Sequence, residues 1–165
     1  MPVRGAAPLP PMSELPGQIV RPPSSVLFAC TWNAIRSPMA EAILKHHRGN
    51  RLYVDSVGVR AQEIDSFAVA VMDEIGIDIS DHQAKSFEDL EDTSFDLVIS
   101  LSPEAQHKAV ELTRTMDCTV EFWPVFDPTL TEGDREQRLD AYRAVREHLL
   151  RRIRERFPPA PPGQL

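Results

Sequence analysis

The sequence predicts an α/β fold of the three-layer sandwich kind, a four-stranded parallel sheet with helices on both faces. Three observations carry this. Short β-type runs alternate with helical patterns along the chain. The runs Val26–Ala29 and Phe95–Leu101 are almost wholly apolar, as strands covered on both sides are. Glycine or proline stands at several of the changeovers, as at Pro38, Gly49, Gly76 and Pro103.

Each element has its own local reason. Val26-Leu27-Phe28-Ala29 reads as a buried strand, followed by a tight loop and then Ser37-Pro38, a helix start with proline in its first turn. Met39 and Ile43, and likewise Ala40 and Leu44, share one face of that helix, which His46 and His47 close. Gly49-Asn50 leads into a second strand over Arg51–Ser56. A helix follows from about Ser66 to Ile75, with Phe67, Val71 and Ile75 four apart and Gly76 as its stop. A short helical turn fits Ser86–Leu90, and Phe95–Leu101 is the clearest buried strand. Pro103 opens a third helix to about Thr115, and Thr119–Trp123 is the fourth strand. The last helix runs from about Gly133-Asp134 to Arg156, with Leu139, Tyr142, Val145, Leu149, Ile153 and Phe157 as its inner stripe. In such sheets, connections are right-handed and ligands bind beyond the C-terminal strand ends.

A length of 165 residues suits one domain with a sizeable core. Seven prolines in residues 1–23 and four in 158–165 mark both ends as extended tails, which leaves 24–157 as the globular part. A net charge of −7 argues against nucleic acid or an anionic membrane as partner, so local donors must hold any anionic ligand. No run is apolar enough to span a bilayer, and the N-terminus lacks the apolar core of a secretory signal. Two cysteines fit a reducing cytoplasm better than a disulfide scaffold. The arginines at 143, 146, 151, 152, 154 and 156 have the spacing of a solvated helix face. His82, His107 and His148 have no metal-ligand spacing, so no metal is expected.

The chemistry concentrates in Cys30-Thr31-Trp32-Asn33-Ala34-Ile35-Arg36-Ser37. Arg-Ser six residues after a given cysteine arises by chance about once in three hundred, and Cys118 has Pro124 at that spacing. A thiol at a helix N-terminus meets unpaired N–H donors and partial positive charge, and its pKa falls there. The planar fork of Arg36 matches two oxygens of one phosphate. Thiolate attack on phosphorus then forms a phosphocysteine that water hydrolyses, with Arg36 and the amides of residues 31 to 36 (Thr31, Trp32, Asn33, Ala34, Ile35, Arg36) holding the equatorial oxygens. The leaving oxygen needs a proton, for which Asp127 on the loop after the fourth strand is the candidate. On local sequence, Asp127-Pro128 fits an ordinary turn equally well.

These residues resemble the low-molecular-weight protein tyrosine phosphatase family, including its arsenate-reductase branch. The resemblance covers about Val26 to Phe157 and rests on Cys30–Pro38, Asp55-Ser56-Val57-Gly58, Phe95-Asp96-Leu97-Val98 and Asp127-Pro128. It implies no metal or organic cofactor, and a phosphorylated protein or small aryl phosphate as substrate. It implies Cys30 as nucleophile, Arg36 as phosphate clamp and Asp127 as proton donor. It further implies that Asn33, Ser37 and Ser56 brace the loop, with Ser37 also lowering the thiol pKa.

Departures from the family pattern sharpen the reading. Trp32 stands where members usually carry glycine: either the position needs positive φ, at a cost of about 1–2 kcal/mol, or the indole sits at the pocket rim. Ile35 replaces the second loop cysteine of eukaryotic members, and Thr129-Leu130 replace the aromatics that tend to follow Asp-Pro. The stretch Ala70–Ser80 looks more like the arsenate reductases, yet Ser102 occupies the place of their relay cysteine. Three functions follow: a cysteine-dependent phosphatase for phosphotyrosine or related aryl phosphates, an arsenate reductase using an external thiol, and a non-catalytic phosphate-binding module.

Overall fold

The computed structural model describes residues 22–91 and 94–159. All but two residues of each proline-rich end segment lie outside that range. Four strands, β1 (Ser25–Cys30), β2 (Tyr53–Gly58), β3 (Leu97–Ser100) and β4 (Thr119–Phe122), form one parallel sheet in the order β2-β1-β3-β4. Four helices connect and follow them: α1 (Arg36–Arg48), α2 (Ser66–Asp73), α3 (Pro103–Leu112) and α4 (Arg135–Arg156). No helix among the described residues is long and apolar enough to cross a membrane.

Alternation along the central strand builds two cores. Val26, Phe28 and Cys30 face the side covered by α1, α2 and α4, while Leu27 and Ala29 face Ala105 and Ala109 of α3. The expected stripe of α4 is buried at every position. Burying each of its large apolar side chains contributes about 1.5–3 kcal/mol, which outweighs the polar remainder of that helix.

Local chemistry places the element ends, with small shifts from the sequence expectation. The second strand starts at Tyr53 because Gly49–Arg51 forms a 3₁₀ turn, with Gly49 at φ 61°, and it runs on to Gly58 beside Cys30. Helix α2 stops at Asp73, where Gly76 at φ 77° donates to the Asp73 carbonyl and Ile77 to that of Met72. Helix α3 ends at Leu112 rather than near Thr115, the chain continuing as turns. Phe95 and Asp96 precede β3, where the Asp96 carboxylate accepts from the Ser24 amide and hydroxyl, both at 2.7 Å.

The helix N-termini differ in a way that bears on the site. Asp65 caps α2, Ser102 caps α3 and Asp134 caps α4 through a reciprocal box with Gln137. Helix α1 has no side-chain cap. Its first turn opens instead on the loop that follows Cys30.

Candidate active site

Cys30 is the last residue of β1, paired with Gly58 of β2, and the loop Thr31–Ile35 turns directly from it into α1. A cleft of about 600 Å³ opens at this C-terminal sheet edge. Cys30, Trp32, Ala34, Ile35, Arg36 and Asp127 line it, with Gln62–Asp65 as a further wall. The two distant parts of the sequence motif, the loop and Asp127, thus meet in one cleft.

The loop is held from outside by its own carbonyls. Those of Cys30, Thr31, Trp32 and Ala34 accept from the amides of Val59, Arg60, Gln62 and Asp65 at 2.8–3.0 Å. In a trans peptide the next N–H points the opposite way, so the amides of residues 31, 32, 33 and 35 turn away from that strap. Gly58 makes the close approach possible. A Cβ there would lie 2.2 Å from the Arg60 oxygen, 2.6 Å from the Asn33 nitrogen and 2.7 Å from the Trp32 carbonyl carbon.

Side chains brace the loop from within. Among the described residues, Asn33 is the one non-glycine residue with positive φ, at 53°, a conformation asparagine tolerates better than most residues. Its Nδ2 donates to Ser37 Oγ and to Ser56 Oγ, both at 2.9 Å, and its Oδ1 accepts from the Lys85 amide and from His82 Nε2, both at 3.0 Å. Ser56 in turn donates to Glu41 Oε1 at 2.5 Å. Ser37 Oγ lies 2.9 Å from Cys30 Sγ and 3.2 Å from the Val57 carbonyl, so its one proton serves either acceptor. Burial holds the His82 imidazole below its usual pKa, although Glu41 and Asp55 pull it upward.

Arg36 is turned inward and 7% exposed. Its Nη1 donates to the Val125 carbonyl at 3.0 Å, two residues before Asp127, and Nη2 reaches Thr31 Oγ1 at 3.4 Å. Thr31 also donates to Ser102 Oγ at 3.1 Å. Asp127 Oδ1 accepts from the Thr129 amide and hydroxyl at 2.9 and 2.6 Å, capping a 3₁₀ turn over Pro128–Leu130. The turn reading of this aspartate holds, and the same residue lines the cleft. Nearby, Tyr142 donates to Asp65 Oδ2 at 3.0 Å; burial and the carboxylates of Asp65 and Asp127 raise its phenol pKa, so it remains a donor.

The positive-φ possibility for Trp32 does not apply, since Asn33 takes that conformation one residue later. The Trp32 indole is 41% exposed at the cleft rim. Sequence reasoning assigned no role to Gly58, Glu41, His82 or the Val125 carbonyl. Glu41 was legible only as the helical i,i+4 partner of Lys45, and the other three carry no spacing signal.

The second cysteine sits elsewhere. Cys118 precedes β4 at the N-terminal sheet edge, and burial and Asp117 push its thiol pKa up. From the strand register it lies level with Ser25, which puts it about 16 Å along the strands and two strand spacings from Cys30. A disulfide needs Cα atoms within about 7 Å.

The parallel α/β sheet thus ends in a loop that brings a thiol and a guanidinium to an uncapped helix N-terminus, an environment that favours anions. The family model described as low molecular weight phosphotyrosine protein phosphatase matches residues 25–157, and this chain belongs to that family and is an enzyme of its superfamily. An arsenate reductase of Shouchella clausii is 35% identical over 131 residues, covering 79% of this chain and 92% of that protein. A glutaredoxin arsenate reductase of Synechocystis is 32% identical over 129 residues, covering 78% of this chain and 92% of its own. The crystal structure of a Drosophila arginine phosphatase superposes with a TM-score of 0.65 at 26% identity, covering 80% of this chain and 94% of that one.

Proposed function

We propose that this protein is a cysteine-dependent phosphatase acting on phosphotyrosine or related aryl phosphate monoesters, of a protein or a small molecule, in a reducing compartment such as the cytoplasm. The single observation that carries this is the convergence of Cys30, Arg36 and Asp127 on one cleft at the uncapped N-terminus of α1. The Cys30 thiolate attacks phosphorus in line while the bond to the leaving oxygen breaks. Asp127 gives that oxygen its proton. Water then attacks the phosphocysteine, loses its proton to the Asp127 carboxylate and displaces the sulfur, which releases inorganic phosphate. Arg36 and the loop amides hold the equatorial oxygens through both steps. Ser37 stabilises the departing thiolate from 2.9 Å. The indole of Trp32 at the rim supports an aryl substrate.

The test is hydrolysis of p-nitrophenyl phosphate, with acid-quenched trapping of phosphorus on Cys30. Absence of turnover in the wild type sinks the reading, as does unchanged turnover in Cys30→Ser.

A second reading, arsenate reduction with an external thiol, is favoured by the relatives named above and by the position of Cys118, which supports no relay within the chain. Two donor thiols would become one disulfide as arsenate becomes arsenite. Arsenite formation that requires added glutathione, mycothiol or glutaredoxin distinguishes it.

A further inference from the structure

We propose that Arg60, tethered by Glu104, positions the Trp32 indole as the platform that selects an aromatic group beside the phosphate; this rests on the phosphatase reading above. The Arg60 guanidinium carbon stands 5.1 Å from the indole centroid, and its Nη1 donates to Glu104 Oε2 at 3.0 Å. Glu104 lies in the first turn of α3, whose capping Ser102 is joined to Thr31 of the loop. The guanidinium is therefore tethered to α3 by an exposed ion pair, and it lies over the indole ring. Because Trp32 also lines the cleft with Cys30, its remaining face and edge are what a bound ring meets.

The backbone gives Trp32 little freedom. Its carbonyl accepts from Gln62 at 3.0 Å, the Arg60 amide holds the preceding carbonyl at 2.8 Å, and Gly58 packs against its carbonyl carbon. The side chain alone is left to be ordered, and a cation on one face does that while leaving the other to stack. An indole ordered before binding loses less entropy when a ligand ring lies on it. Arg60 is thus a positioning residue acting through Trp32, and the selectivity lies in this rim rather than in the phosphate-holding atoms.

The experiment compares p-nitrophenyl phosphate with acetyl phosphate, an activated phosphate without a ring, on the full chain. Trp32→Ala is expected to lower kcat/KM for the aryl substrate about tenfold further than for acetyl phosphate. Arg60→Ala should raise KM for the aryl substrate about threefold at constant kcat, Glu104→Gln about twofold, and Arg60→Lys should recover most of the loss. Calorimetric binding of phenylphosphonate against inorganic phosphate to each variant reads the same ratio without turnover. Equal effects on both substrates, no effect of Arg60→Ala, or a lower aryl KM overturn the positioning role while the phosphatase reading stands. A wild type that hydrolyses neither substrate overturns both.

Discussion

Two thiols sit at opposite edges of the same sheet, and their surroundings differ more than their burial. Cys30, at the C-terminal edge, meets a serine hydroxyl at 2.9 Å and shares its cleft with Arg36 and the start of α1. Cys118, at the N-terminal edge, is surrounded by apolar side chains of the α3 face and by Asp117, both of which favour the neutral thiol. The difference follows from parallel topology. Strands that all point one way deliver helix N-termini, with their donors, to one edge only, and helix C-termini to the other. The surroundings of each thiol are set by the edge it occupies.

Substitutions that act on one edge alone probe this contrast most strongly. Cys30→Ser is expected to lower aryl phosphate turnover by at least about four orders of magnitude, because a serine hydroxyl is barely ionised at neutral pH. Cys118→Ser should leave it within about twofold in the same assay. Arg36→Lys keeps the charge but loses the fork and the bond to Val125, and a fall of about three orders of magnitude in kcat/KM is expected. Asp127→Asn retains the turn-capping oxygen but has no proton to give, so kcat should fall about a hundredfold for poor leaving groups and much less for p-nitrophenol. A loss independent of the leaving group would count against a proton-donor role.

Two further substitutions act on the brace. Gly58→Ala drives a Cβ into three backbone atoms of the loop strap and should lower stability by about 3 kcal/mol in denaturant titration, with loss of phosphate binding. The smallest effect concerns His82. Its pKa in the folded state lies below the usual 6.5 through burial, with Glu41, Asp55 and Lys85 as the charged neighbours. The unfolded chain therefore binds a proton more readily, and stability present above pH 6.5 is lost as the pH falls below it. The Tm of the wild type should drop between about pH 7.5 and 5.5 by more than that of His82→Gln. An equal drop in both would assign the acid lability to other groups.

The loop after Cys30 was legible because every one of its parts is local. A strand, Cys30, Arg36 six residues on and Ser37-Pro38 lie within thirteen positions, where helix-start chemistry and periodicity are readable. The second strand was read two residues early, because the turn at Gly49–Arg51 is set by a glycine in the left-handed region and by pairing to β1. Asp127 was undecided between turn and acid on its own, since an Asp-Pro turn looks the same whether or not a cleft lies beneath it.

By itself, the order of apolar and polar residues determined four strands between helices and a thiol at the end of the first. It also singled out Arg36, by type and spacing, as the candidate phosphate clamp. Only the tertiary structure decided that Arg36 turns inward to Val125, and that Asn33 rather than Trp32 adopts the left-handed conformation. It also recruited Glu41, Gly58 and His82 to the loop. The physical reason is that short-range signals report hydrogen bonds and burial within a few residues. A polar atom buried at the sheet edge is instead satisfied by partners 15 to 89 residues away, as the bonds from Ser56 to Glu41 and from Arg36 to Val125 are.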